Sequence, residues 1–60
     1  MKNILEVRGT KEFHLCKFDK DDFRIILIEE NKFGSVTLAV TDSEDKMISL
    51  YREIIFRFCL

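Results

Sequence analysis

The sequence predicts an α+β domain: a four-stranded, mostly antiparallel meander with one C-terminal helix packed on one face, in the order β-β-β-β-α. Three observations predict it. Turn-forming clusters at Gly9-Thr10-Lys11, Asp19-Lys20-Asp21-Asp22 and Asn31-Lys32-Phe33-Gly34 divide the chain before Thr41 into short runs. Those runs have strand length and are rich in β-branched and aromatic residues. From Glu44 onward the apolar residues recur every three or four positions, the spacing of a helix face. The expected strands lie near 3–8, 12–18, 23–30 and 35–41, and the helix at about 43–58.

The first run, ILEVR at Ile4 to Arg8, is joined to EFHLCKF by a triplet containing Gly9, which is a hairpin signal. In the second run Phe13 and Leu15 fall on one face and His14, Cys16 and Phe18 on the other, and neither face is clearly polar. Asp19 to Asp22 follows as a solvated turn, with aspartates able to bond their own backbone. It lacks the glycine and the distal glutamate of a calcium loop. The centre of the third run, Ile25-Ile26-Leu27-Ile28, is apolar on both faces, as suits a central strand covered on both sides. One helix has material to cover only one side of the sheet, so something else must cover the other.

The stretch FGSVTLAVTDSEDK, Phe33 to Lys46, admits two readings. As a helix, Val36, Ala39, Val40, Ser43, Met47 and Leu50 make a stripe, but Leu38 lies outside it, and Val and Thr lose χ1 freedom in a helix. As a strand, Val36, Leu38 and Val40 alternate without a break against Thr37, Ala39 and Thr41. The junction decides for the strand. Thr41 and Glu44 have the spacing of a capping box, with Asp42 and Ser43 as alternative caps, and Asp42, Glu44 and Asp45 place negative charge at a helix N-terminus. A cap in the middle of a helix would be wasted.

The helix face is Met47, Leu50, Tyr51, Ile54, Ile55 and Phe58. Ile54, Ile55, Phe56, Phe58, Cys59 and Leu60 surround its last turns almost completely, which is more apolar surface than one interface uses. Each exposed phenylalanine leaves about 1.5–3 kcal/mol of available burial unused. A contiguous exposed patch of such residues marks a protein interface.

At 60 residues the chain makes a single small domain spanning residues 1–60, and a domain of this size buries only about 60% of the surface of its unfolded chain. Disulfides, a metal or oligomerisation are the usual remedies. Cys16 and Cys59 can in principle pair. However, MKNILEVRGT has too short an apolar run, and no small-residue cleavage site, for an export signal. The expectation is a reducing, cytoplasmic setting with free, buried thiols. The apolar runs Ile25 to Ile28 and Ile54 to Phe56 are far shorter than the roughly 20 residues of a membrane span.

Net charge is −1, with Lys and Arg scattered among Asp and Glu, so no basic face is expected and nucleic acid is not the expected partner. A small DNA-associated regulatory protein, its basic patch built only on dimerisation, is one alternative. An enzyme or metal protein built across a dimer is another.

No catalytic constellation is assembled. His14 is the only histidine, and Cys16 two residues on shares its strand face, too far for a good direct hydrogen bond and with no third orienting group. Structural zinc takes four Cys or His ligands, and the chain holds three such residues. Gly34-Ser35 lacks the frame of a phosphate loop. The adjacent acids Asp21-Asp22 and Glu29-Glu30 face opposite ways on extended chain and read as solvated ends. No catalytic, cofactor-binding or metal-binding residue is assigned, and neither cofactor nor small-molecule substrate is expected.

The segment IILIEENKFGSVTLAVTDSEDKMISLYREIIFRFC resembles the C-terminal half of the third proteasome-assembling chaperones of eukaryotes. It shares a strand, a glycine-containing turn, a strand ending in Ala39-Val40 and Asp42, and a helix with the pair Arg52-Glu53. With gaps, the similarity runs back through Val7, Gly9 and Phe13. Those chaperones are much longer, so a counterpart of their N-terminal half would lie outside this sequence. The resemblance implies a non-catalytic dimerising protein that holds partner subunits during assembly. The turn Asn31 to Gly34 is also similar to that of the roadblock light-chain family, which implies a sheet-paired scaffold or small-GTPase regulator with a helix directly after Gly34. The expected function is therefore a small interaction or assembly module that forms a homodimer and binds protein partners. Its expected interface residues are Ile26, Ile28, Tyr51, Ile55, Phe56 and Phe58.

Overall fold

The structure, a computed structural model, describes residues 3–57. Four strands, β1 (Ile4–Arg8), β2 (Lys11–Asp19), β3 (Asp22–Glu29) and β4 (Val36–Thr41), precede one helix, α1 (Glu44–Arg57). The strands form a single sheet in the order β1-β2-β3-β4, and every neighbouring pair is antiparallel. This is the α+β meander that the turn clusters and the change of apolar spacing predict. Val36 to Thr41 is strand, as expected, but its alternation is broken by a bulge at Leu38, which puts Thr37 and Val40 on the same face.

Local chemistry explains the joints. Gly9 at φ 64° and Gly34 at φ 80° occupy the left-handed region that other residues avoid, one in each of two turns. At the β4–α1 joint the observed cap is Ser43, one of the alternatives, and not Thr41. The Ser43 Oγ accepts the Lys46 backbone N–H at 3.2 Å, and the Ser43 carbonyl accepts the Met47 N–H at 3.1 Å, the first turn of the helix. Thr41 is instead the last residue of β4, still paired with Phe23, and its hydroxyl lies 3.0 Å from the Ser43 carbonyl oxygen, to which it donates. The capping box fails because Glu44 is already the first helical residue, which puts Lys46 where a capping box needs Glu or Gln.

The core sits between α1 and one face of the sheet. Phe13, Leu15, Ile25, Met47 and Tyr51 are buried, with Ile4, Phe23, Leu27, Ala39, Ile48, Leu50, Ile54 and Ile55 packed against them. The helix runs over β2, β3 and β4. Over β1 it leaves a groove of about 470 Å³ lined by Ile4, Leu15, Ile48 and Ile55, with Glu6 and Tyr51 also on its walls. A helix about 10–12 Å across cannot span four strands set about 4.8 Å apart, so the sheet is wider than its only cover.

Candidate functional site

The pairing register assigns every strand residue to a face. Phe13 and Leu15 point into the core, so His14 and Cys16 point away from the helix, and their registered partners go with them. Three rows of side chains therefore cross the outer face of the sheet. The middle row is Leu5, His14, Ile26 and Thr37; one flank is Val7, Glu12 and Ile28, and the other is Cys16, Arg24 and Val40. Nothing among the described residues covers these rows. Leu5, Val7 and Val40 are 55%, 63% and 62% exposed.

Two bulges add apolar residues. Phe18 is the extra residue of β2 between Lys17 and Asp19, and Leu38 is the extra residue of β4 opposite Ile25 and Ile26. Phe18 lies under Arg24, whose guanidinium carbon is 4.6 Å from the ring centroid.

The charge of Arg24 on this face is neutralised locally. Arg24 donates two hydrogen bonds to the Asp22 carboxylate, at 2.9 and 2.8 Å, a bidentate grip that holds the carboxyl below its ordinary range. His14 Nε2 lies 3.2 Å from Glu12 Oε1. The partner of His14 is thus Glu12 and not Cys16. Cys16 is a free thiol on the outer face, as its strand position predicts, but half-buried where full burial was expected. Cys59 lies outside the described residues. No group of three His, Cys, Asp or Glu is placed to hold a metal ion among the described residues. No helix among them is long and apolar enough to cross a membrane.

The expected interface residues do not form one surface. Ile26 and Ile28 lie on the open face. Tyr51 is drawn into the core, only 6% exposed, because its ring meets Phe13 edge to face and its hydroxyl donates to Glu6. Burial first, and then the Glu6 carboxylate, push the phenol above its ordinary range. Ile55 packs against that core. Phe56 is exposed on the helix, and Phe58 lies outside the described residues. Leu5, Val7, Phe18, Leu38 and Val40 were not among the expected residues. Only Phe18 had a signal in the strand alternation, opposite the inward Phe13 and Leu15; Leu5 and Val7 alternate with the inward Ile4, Glu6 and Arg8, and Val40 with Ala39 and Thr41, so hydrophobicity alone does not mark them as outward. Phe33, wholly exposed in the β3–β4 turn, has no counterpart signal beyond its neighbours Lys32 and Gly34.

No family model, curated protein or solved structure matches this chain.

Proposed function

We propose that this protein is a small, non-catalytic interaction and assembly module that engages protein through the open face of its sheet. The observation that carries the reading is the set of outward apolar side chains, Leu5 and Val7 on β1, Ile26 and Ile28 on β3 and Val40 on β4, on the face of the sheet that the helix does not cover, with Glu12, His14 and Cys16 of β2 between them. An antiparallel sheet that meets water on one side alternates apolar-in with polar-out. Here Leu5, Val7, Ile26, Ile28 and Val40 stand outward among Glu12, His14, Arg24 and Thr37, more apolar surface than a water-facing side needs. The strand through Ala39-Val40 that runs directly into a capped helix supports the assembly-chaperone resemblance. It also departs from the roadblock pattern, in which a helix would follow Gly34.

Site-specific photocrosslinking in the native cell tests the reading. A photoreactive residue at position 26 is expected to yield protein adducts, whereas one at Glu53, exposed on the helix, yields none. Equal labelling from both positions, or none from position 26, refutes it.

A further inference from the structure

We infer that the occupant of the open sheet face is a second copy of this chain. The two sheets pack face to face as the inner layers of an α/β/β/α sandwich, with both helices outside. The inference rests on the reading of that face as an interaction surface and names its partner.

Area is the first argument. A standard protein interface takes about 800 Å² from each partner. The molecule measures 32 × 24 × 16 Å, so a broad side of it is of about that size, and a single four-stranded sheet is one of its two layers. Sheets stack about 10 Å apart with their side chains interdigitated, and β-branched and aliphatic rows such as Val7, Ile26, Ile28 and Val40 suit that packing.

Charge is the second. A surface that meets its own copy must not set like charges against each other. Arg24 is already gripped by Asp22, and Glu12 stands 3.2 Å from the His14 ring. The middle row through Leu5, Ile26 and Thr37 carries no formal charge apart from any proton on His14.

Stability is the third. Only five described residues are buried as core, and a single core in a chain this short rarely stabilises a monomer well. Every copy has the same shortfall and the same face, so the partner that relieves it is present wherever the chain is made.

Analytical ultracentrifugation from low to high micromolar concentration, run with thiol-reaction kinetics, tests the inference. A Cys59→Ser background leaves Cys16 as the single thiol, and Cys16 lies on the face in question. The expected result is a dimer in which Cys16 reacts more slowly as concentration rises. Ile26→Asp should raise the dimer dissociation constant about thirtyfold or more and free the thiol, as loss of a central hot spot does. Glu53→Lys, on the helix, should change neither. If Ile26→Asp unfolds, the milder Ile26→Thr and the concentration dependence of Cys16 protection decide the question.

A monomer at high micromolar concentration with a fast-reacting Cys16 overturns the second-copy inference, while crosslinking from position 26 would still uphold the interaction reading with another protein. A dimer that survives Ile26→Asp and Ile26→Thr with Cys16 fully reactive also overturns the second-copy inference, because it would use another surface, and the crosslinking from position 26 then decides the interaction reading by itself.

Discussion

The rings of Phe13 and Tyr51 meet edge to face, with centroids 5.5 Å apart and planes inclined at 62°, and this contact fastens the helix to the middle of the sheet. The same tyrosine reaches across the groove over β1, where its hydroxyl donates to Glu6 and Arg8 Nε lies 3.5 Å away. One side chain thus ties α1 to two strands by two kinds of interaction. The two can be separated by mutation.

Tyr51→Phe keeps the ring contact and loses the hydroxyl. Glu6 retains Arg8 at 3.6 Å and access to water, so the expected loss is about 1.5 kcal/mol of unfolding free energy, the low end for a hydrogen bond to a charged group. Tyr51→Ala also removes the ring and should cost about 3–5 kcal/mol. Urea unfolding of both variants measures the difference. Equal losses would mean that the ring contributes nothing.

Ile25 and Ile26 are adjacent in β3 and face opposite layers. Ile25 is 0% exposed against the helix, so Ile25→Ala should lower stability by about 2–5 kcal/mol at any protein concentration. Ile26→Ala should cost much less in dilute solution, where its face is open, and progressively more as concentration rises. Thermal unfolding across a concentration series separates the two behaviours.

The Asp22–Arg24 pair makes stability depend on acid. The hydrogen bonds from Arg24 are the main cause of the depressed Asp22 carboxyl; desolvation opposes them, and Coulombic attraction to the same side chain adds the smallest contribution. A depressed carboxyl stabilises the fold fully above the ordinary aspartate value of about 3.9 and loses that contribution as pH falls through the lower folded value. Asp22→Asn should therefore be less stable than the parent chain at pH 7, and the gap should close in strong acid. A gap that stays constant across the titration would remove the pair from the account.

Ser43 rather than Thr41 caps the helix, which gives a paired test. Ser43→Ala should cost about 1 kcal/mol, the usual value of an N-cap side chain. Thr41→Val keeps the branched strand residue, and loses only the hydroxyl's donation to the Ser43 and Phe23 carbonyls, so it should cost less. Circular dichroism and denaturant midpoints decide the order. A larger effect at Thr41 would move the cap back by two residues.

Gly34→Ala should cost about 1–2 kcal/mol although no atom lies within 4 Å of the added methyl. The penalty is that of holding an L-residue at φ 80°. Asn at the same position should lose less, because it tolerates that region. A stability series at position 34 checks the ranking.

All five elements were legible in the sequence because each is set by local physics. Turns follow from Gly9, the Asp cluster and Gly34, strands from alternating β-branched residues, and the helix from its three-and-four spacing. The face assignment within β2 was legible too, since Phe13 and Leu15 stand opposite His14, Cys16 and Phe18. The interface was harder to read. Tyr51 and Ile55 looked like surplus apolar surface because a one-dimensional reading cannot tell which part of a helix stripe its own sheet will take up.

What the sequence by itself determined is the order and type of the elements and the excess of apolar residues over what one helix can cover. Only the tertiary structure decided where that excess lies. The antiparallel register sets Leu5, His14, Ile26 and Thr37 in one row, and the bulge at Leu38 puts Thr37 and Val40 on one face, which unbroken alternation would separate. Pairing depends on which residues meet across turns, and a shift of one residue in register would send every side chain of a strand to the other face.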